Sequence, residues 1–211
     1  MKYEKYIDNT LLKADATKKE ILTLCEESKK YNFKSVCINP DFIPTAKEAL
    51  KGSDVLVCTV IGFPLGSMST KAKAFEAKDA VEMGADEVDM VLNISALKDK
   101  DYKYVLEDIK AVREATKGHT LKVILECCLL TKEEIVEACK ICVEAKVDFV
   151  KTSTGFSKWG ARVEDVKLMR ETVGPEMGVK AAGGVRTHEE MLEMVENGAT
   201  RIGTSSGAKL M

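Results

Sequence analysis

Short apolar runs alternate with amphipathic segments along the whole chain. Val/Ile-rich runs fall at 34–38, 55–61, 86–92, 121–126, 147–152, 177–182 and 200–204, with an eighth candidate near 6–12. Between them, apolar residues recur at helical spacing over 17–31, 40–50, 70–83, 98–116, 131–145, 161–173 and 187–197. Buried parallel strands read as continuous apolar runs, whereas amphipathic helices repeat every 3.6 residues. Four helical segments open on residues suited to N-capping: Thr17, Ser69, Thr131 and Thr187. Thr131 is followed by Lys132-Glu133-Glu134, which completes a capping box. Such alternation over 211 residues fits either a closed eightfold barrel or an open doubly wound sheet.

A weak internal repeat separates the two. Several helical segments end on Gly or Asn and run straight into a strand, as a left-handed turn allows; Lys146 holds the same place in another unit. Counting five residues on, Asn32 leads to Cys37, Gly84 to Asp89, Lys146 to Lys151 and Gly198 to Gly203. Side-chain direction alternates along a strand, so equal spacing gives equal height and equal facing. A thiol, a carboxylate, an amine and a glycine then share one ring at the C-terminal strand ends, where barrel enzymes keep their chemistry. An open sheet would usually show a Gly-rich turn after its first strand, and none follows 6–12 or 34–38. The expected architecture is α/β, a TIM (β/α)8 barrel forming a single domain over 1–211.

Two lysines in this frame are energetically odd. Lys151 ends the run Val147-Asp148-Phe149-Val150-Lys151, and Lys180 lies in Met177-Gly178-Val179-Lys180-Ala181-Ala182. Lysine is rarely buried unless paired. Two ammonium groups on adjacent strands repel, so each gives up its proton more readily, and a neutral amine is a nucleophile. Lys151 therefore reads as a Schiff-base amine or as a snorkelling strand-end lysine. Lys180 reads as its electrostatic neighbour and proton relay, or as an ion-pair partner of Asp89. Asp89, an acid inside Val88-Asp89-Met90-Val91, either moves protons or neutralises the lysines.

Donor-rich loops follow the last strands. Lys180-Ala181-Ala182-Gly183-Gly184 and Gly203-Thr204-Ser205-Ser206-Gly207 offer backbone N–H groups of the kind that cradle phosphate in barrels. Thr152-Ser153-Thr154-Gly155 adds a third loop. The turn Gly62-Phe63-Pro64-Leu65-Gly66-Ser67 reads equally as a pocket wall or a plain turn. Trp159 is expected to pack or to cover the mouth. Cys37 lies on the ring and reads better as a packed thiol than as a substrate contact.

Composition narrows the chemistry. Hydrophobic residues make up 45% and charged residues 31%, with 32 basic against 34 acidic side chains. That balance favours neither nucleic acid nor an anionic membrane as partner. No apolar run reaches membrane-spanning length and the N-terminus lacks a signal-like stretch, so a cytoplasmic location is expected. The seven cysteines then read as buried thiols, including Cys139-x-x-Cys142 inside a helix. The two histidines, His119 and His188, are too few and too separated for a metal-ligand cluster or a Ser-His-Asp triad. No metal or organic cofactor is expected.

The segments Tyr6-Ile7-Asp8-Asn9-Thr10-Leu11-Leu12, Ser35-Val36-Cys37-Ile38-Asn39-Pro40, Glu87-Val88-Asp89-Met90-Val91, Val150-Lys151-Thr152-Ser153-Thr154-Gly155-Phe156, Val179-Lys180-Ala181-Ala182-Gly183-Gly184-Val185-Arg186-Thr187 and Arg201-Ile202-Gly203-Thr204-Ser205-Ser206 occur in an order that resembles the deoxyribose-phosphate aldolase family. The resemblance spans nearly the whole chain. It implies a class I aldolase on a TIM barrel, reversibly cleaving 2-deoxy-D-ribose 5-phosphate to acetaldehyde and D-glyceraldehyde 3-phosphate in deoxyribose catabolism. It assigns Lys151 to the Schiff base, Lys180 to the second lysine and Asp89 to the proton relay. It places Asp8, Thr10, Cys37 and Thr154 near substrate, and Gly155, Gly183, Gly184, Ser205 and Ser206 at the phosphate. Small sugar phosphates and aldehydes would be its partners, with assembly as a homodimer or homotetramer. Three departures stand out: Asn9 where relatives commonly have histidine, Phe156 where some longer relatives have a basic residue, and an end at Met211 that allows only a short last helix. A phosphate-binding isomerase or epimerase and a non-catalytic sugar-phosphate sensor are the alternatives.

Overall fold

Why a barrel forms is visible in the strands, which are buried on both faces. The structure is a computed structural model that describes residues 2–211. Its strands are β1 (Ile7–Leu11), β2 (Ser35–Ile38), β3 (Leu56–Ile61), β4 (Glu87–Val91), β5 (Thr120–Ile124), β6 (Phe149–Lys151), β7 (Gly178–Ala182) and β8 (Arg201–Thr204). They pair in parallel, in sequence order, and close through β8 and β1. Around them lie α1 (Lys18–Tyr31), α2 (Ile43–Ala49), α3 (Thr70–Glu82), α4 (Ile94–Lys98), α5 (Tyr102–Ala115), α6 (Lys132–Glu144), α7 (Val163–Val173) and α8 (His188–Glu196). Outward strand residues such as Val36, Val88, Val123, Val150 and Ile202 form the core against the helices. None of the described helices is long and apolar enough to cross a membrane.

Local signals set the helix ends. Thr17, Ser69, Thr131 and Thr187 each accept the N–H three residues on, and capping boxes close at Thr17, Thr131 and Thr187. Asn32, Gly84, Lys146 and Gly198 all have positive φ, as the repeat requires. The helix expected over 98–116 is α5, which starts later at Tyr102, and a short unexpected α4 precedes it. Lys100 turns left-handed at φ 60°, and the Asp101 carboxylate caps the new helix by accepting the Tyr104 N–H at 3.1 Å. The segment expected over 40–50 opens with a 3-10 turn at Pro40–Phe42 before α2 begins. The chain ends in a 3-10 turn at Gly207–Leu210.

The strand register sorts the barrel interior into layers. A level ring in a tilted eight-stranded barrel steps one residue forward per strand, so inward side chains come from alternate strands. Starting at Cys37, that path reaches Asp89, Lys151 and Gly203 and returns to Cys37. The ring inferred from spacing thus exists, and two further inward layers lie below it. Beneath it, by the same path, lie Asp8, Cys58, Lys122 and Lys180, and beneath them Ser35, Glu87, Phe149 and Arg201.

Candidate active site

The barrel interior is charged where such interiors are usually filled by branched apolar side chains. Three carboxylates, Asp8, Glu87 and Asp89, face four bases, Lys122, Lys151, Lys180 and Arg201, and all are buried. Asp89 is the hub. Its Oδ2 accepts from the Nζ of both Lys151 and Lys180 at 2.8 Å, and its Oδ1 accepts from Lys122 Nζ at 2.7 Å. Lys180 also lies 2.5 Å from Asp8 Oδ2, and Lys122 lies 2.6 Å from Glu87 Oε2. Arg201 closes the bottom, donating to Asp8 and Glu87 at 2.8 Å over the Phe149 ring. Gly203 has no side chain for a steric reason: a Cβ there would sit 3.0 Å from Lys180 Cε.

Electrostatics fix most of these charges. Burial pushes the Asp89 carboxyl up, but the Lys122, Lys151 and Lys180 ammonium groups outweigh it and hold it well below the usual carboxylate range. Asp8 is depressed in the same way, burial being overcome by Arg201, Lys180 and Lys122. Burial pulls Lys180 toward the neutral amine, yet Asp8 and Asp89 reverse this and raise it above an ordinary lysine. Mutual depression of the two lysines was the sequence expectation. For Lys180 the structure corrects it, because a second carboxylate, Asp8, stands within reach.

The two thiols of the upper layers differ. A hydrogen bond with the Cys58 thiol, helped by Lys180 and opposed by burial, brings Cys37 down to about 7. Burial and the same contact push Cys58 well up. Cys37 is fully buried beside Leu12, Cys58, Val60 and Phe63, as a packed thiol. The other cysteines are free and buried, and burial raises Cys139 and Cys142 on α6. Sulfur and oxygen donors of Cys37, Cys58 and Asp89 lie within 4.8 Å of one another, as do those of Asp8, Cys58 and Glu87. Those carboxylates already pair with lysine or arginine, so a metal ion would compete with fixed cations.

Above the top layer opens a cavity of about 330 Å³ with Lys151 on its floor. Thr10, Thr154, Gly155, Gly183, Gly184 and Ser205 line it. Gly155, Gly183 and Gly184 have φ of 86°, 80° and 84°, a backbone form that side chains strain to adopt. Asp8 lies deeper, under Lys180, and Ser206 lies outside the lining, its N–H donating to Thr204 Oγ1 at 3.1 Å. Phe156 lines the mouth and meets Phe63 edge-on at 5.3 Å, so the loop after β3 touches the site only through Phe156 and does not itself line the cavity. Trp159 stacks on the Arg162 guanidinium at 4.1 Å. Asn9 points away from the cavity toward α1, donating to Glu27 at 2.9 Å.

Sequence reasoning passed over Lys122, Glu87, Arg201 and Cys58 in the lower layers, and the cations Lys13 and Arg186 at the cavity rim. It also passed over Glu126, whose carboxylate accepts from the Thr154 N–H and hydroxyl.

A closed parallel barrel with ionisable residues converging beneath a mouth of glycine-rich loops defines a (β/α)8 enzyme with its site at the C-terminal strand ends. The DeoC/LacD aldolase family matches residues 4–210, and the chain belongs to that family. It is accordingly an aldolase, a carbon–carbon lyase. A deoxyribose-phosphate aldolase of Finegoldia magna is 62% identical over 211 residues, covering 100% of this chain and 99% of the relative. Among solved structures, the aldolase QR15 superposes with a TM-score of 0.94 at 43% identity, covering 98% of this chain and 93% of that one. A deoxyribose phosphate aldolase from Aeropyrum pernix, described as tetrameric, gives a TM-score of 0.90 at 33% identity, covering 97% and 87%.

Proposed function

We propose that this aldolase reversibly cleaves 2-deoxy-D-ribose 5-phosphate to acetaldehyde and D-glyceraldehyde 3-phosphate through a Schiff base on Lys151. The observation that carries the reading is the pair of amines, Lys151 and Lys180, on one oxygen of Asp89 beneath a cavity walled by backbone donors. The relatives' names supply the substrate.

Charge accounting supports Lys151 as the nucleophile. With every group ionised the interior holds one cation too many, and Lys180 and Lys122 are each held protonated by carboxylates. Lys151 lies highest, borders the cavity and has a single carboxylate partner, so it is the amine that a substrate carbonyl in the cavity can reach. Its neutral amine attacks C1 of the open-chain sugar. The carbinolamine loses water to give an iminium, an electron sink. The 3-hydroxyl gives up its proton, C2–C3 breaks, and glyceraldehyde 3-phosphate leaves. The enamine takes a proton at C2, and water releases acetaldehyde and restores Lys151. Asp89, held ionised, keeps Lys180 beside Lys151, and Lys180 gives a proton to the departing hydroxyl of the carbinolamine, takes one from the 3-hydroxyl and passes it to C2.

Thr154, Gly155, Gly183, Gly184 and Ser205 serve the phosphate end, with Arg186 and Lys13 adding charge at the rim. Asp8 acts by holding Lys180 in place, and Thr10 contacts the sugar. We also infer a homo-oligomer, by analogy with the tetrameric relative, and a role in deoxyribose catabolism.

Borohydride trapping with acetaldehyde, followed by peptide mapping, tests the reading beside a turnover assay. An ethyl adduct on Lys151 is expected. Full turnover in Lys151→Ala would overturn it and favour an isomerase or epimerase. Sugar-phosphate binding without turnover would favour a sensor.

A further inference from the structure

We propose that Glu126 is a positioning residue for the anion-binding face of the cavity, acting through Thr154. The proposal rests on the sugar-phosphate reading of the site. Glu126 follows β5 by two residues and is 2% exposed. Among the described residues no lysine or arginine lies within ion-pair distance of its carboxylate. A buried, unpaired carboxylate is costly unless hydrogen bonds satisfy it. Its backbone is also left-handed, at φ 56° and ψ 61°, where a side chain is strained. Two penalties at one residue point to a job for it.

The job is visible in its partners. Thr154 donates both its N–H, at 3.2 Å, and its hydroxyl to the carboxylate, and the Cys128 thiol donates at 3.7 Å. With its proton committed to Glu126, the Thr154 hydroxyl presents a lone pair to the Phe156 N–H at 3.0 Å. That bond curls the loop around Gly155, at φ 86°, where Thr154, Gly155 and Phe156 line the cavity.

The loop after β8 is built in the same way. There the Ser206 N–H donates to Thr204 Oγ1 at 3.1 Å, and the Thr204 hydroxyl donates to the Val185 carbonyl at 2.8 Å. A backbone carbonyl orients the hydroxyl in that loop. After β6 the Glu126 side chain takes the carbonyl's place. Glutamine would serve poorly, because Thr154 directs two donors at the group and an amide offers only one acceptor atom. Glu126→Gln would therefore turn the Thr154 hydroxyl and release the Phe156 amide.

Inorganic phosphate binding, measured by calorimetry on the full chain, tests this without depending on turnover. Glu126→Gln is expected to weaken phosphate about tenfold, and Thr154→Val to do the same. Thr154→Ser, which keeps the hydroxyl, is expected to bind like the parent. In kinetics, the ratio of kcat/KM for 2-deoxyribose 5-phosphate over unphosphorylated 2-deoxyribose should fall about tenfold in Glu126→Gln, mainly through KM. A merely structural role would depress both substrates together. Phosphate affinity within twofold of the parent in Glu126→Gln would overturn the proposal; should that variant fail to fold, the same result in Thr154→Val would do so. Failure of the aldolase reading is separate: it shows as absent Lys151 trapping in the parent chain, while phosphate affinity still judges Glu126.

Discussion

Lys151 and Lys180 are register partners on neighbouring strands, and both donate at 2.8 Å to the same oxygen of Asp89. Their ammonium nitrogens therefore lie within about 6 Å of each other inside a low-dielectric barrel, where like charges interact by several kcal/mol. Asp8 holds Lys180 from the other side at 2.5 Å, so Lys180 rests protonated beside Lys151. In Lys180→Met, kcat/KM is expected to fall by about 100-fold or more. A loss of less than about tenfold would count against Lys180 as the proton relay.

Lys122 makes an equally specific demand. It donates to Asp89 at 2.7 Å and lies 2.6 Å from Glu87, with no exposure to solvent. Replacing it by methionine strands buried carboxylate charge, a change worth about 3–5 kcal/mol of stability. Adding Glu87→Gln removes one of those charges. The double variant is expected to recover about 1 kcal/mol or more over additivity in a urea-unfolding cycle. Strict additivity would show that the two groups do not interact.

Acid should unfold the protein through the same network. Asp8 and Asp89 are depressed in the fold, so their contribution to stability is present above the unfolded value near pH 4 and is lost as pH falls toward their folded values. Each group then costs about 1.4 kcal/mol per pH unit below about pH 4. Lys122 and Lys180 are raised, so their contribution is complete below about pH 10 and fades only above it. Unfolding free energy is expected to be level across neutral pH and to fall steeply below about pH 4. In Asp8→Asn the acid slope should be shallower by about half. Denaturant titrations from pH 2.5 to pH 9 measure both.

Phe156 stands half-exposed at the cavity mouth, near the glycine loops. A cation there would reach a bound phosphate through solvent. Phe156→Lys is expected to lower KM for the phosphorylated sugar about threefold, and high salt should remove the gain. Unchanged KM at low salt would mean that the phosphate lies elsewhere in the cavity.

The top layer of the barrel was legible in the sequence because one local geometry precedes every even strand. Asn32, Gly84, Lys146 and Gly198 are left-handed, and each stands five residues before its inward top-layer partner. The odd strands lack that constancy. Gly52 precedes Cys58 by six residues, Gly118 precedes Lys122 by four, and Gly174 precedes Lys180 by six. Spacing therefore could not align Cys58 and Lys122 with Lys180 and Asp8, although they form one ring. Lys180 stands out instead as a lysine within an apolar run on the strand next to that of Lys151. Glu87 and Arg201 open their strands, where a charged residue usually marks a solvated edge. Only the closed register shows them inside, paired with each other. Glu126 was hidden differently: its partner Thr154 lies 28 residues away, and nothing local distinguishes it from an exposed loop acid.

Lys146 offers a last test of the repeat. It ends the α6 unit at φ 55°, in the position that Gly84 and Gly198 hold in theirs. Left-handed backbone costs an ordinary residue about 1–2 kcal/mol, whereas glycine adopts it freely but loses about 0.5–1 kcal/mol through its greater freedom when unfolded. The first effect exceeds the second. Lys146→Gly is expected to raise stability by about 0.5–1 kcal/mol and Tm by about 1–4 °C. Because Lys146 lies on the N-terminal side of the barrel, away from the cavity, turnover should stay within twofold of the parent. A lowered Tm in a scanning calorimetry trace would show that its side chain contributes more than the strain it carries.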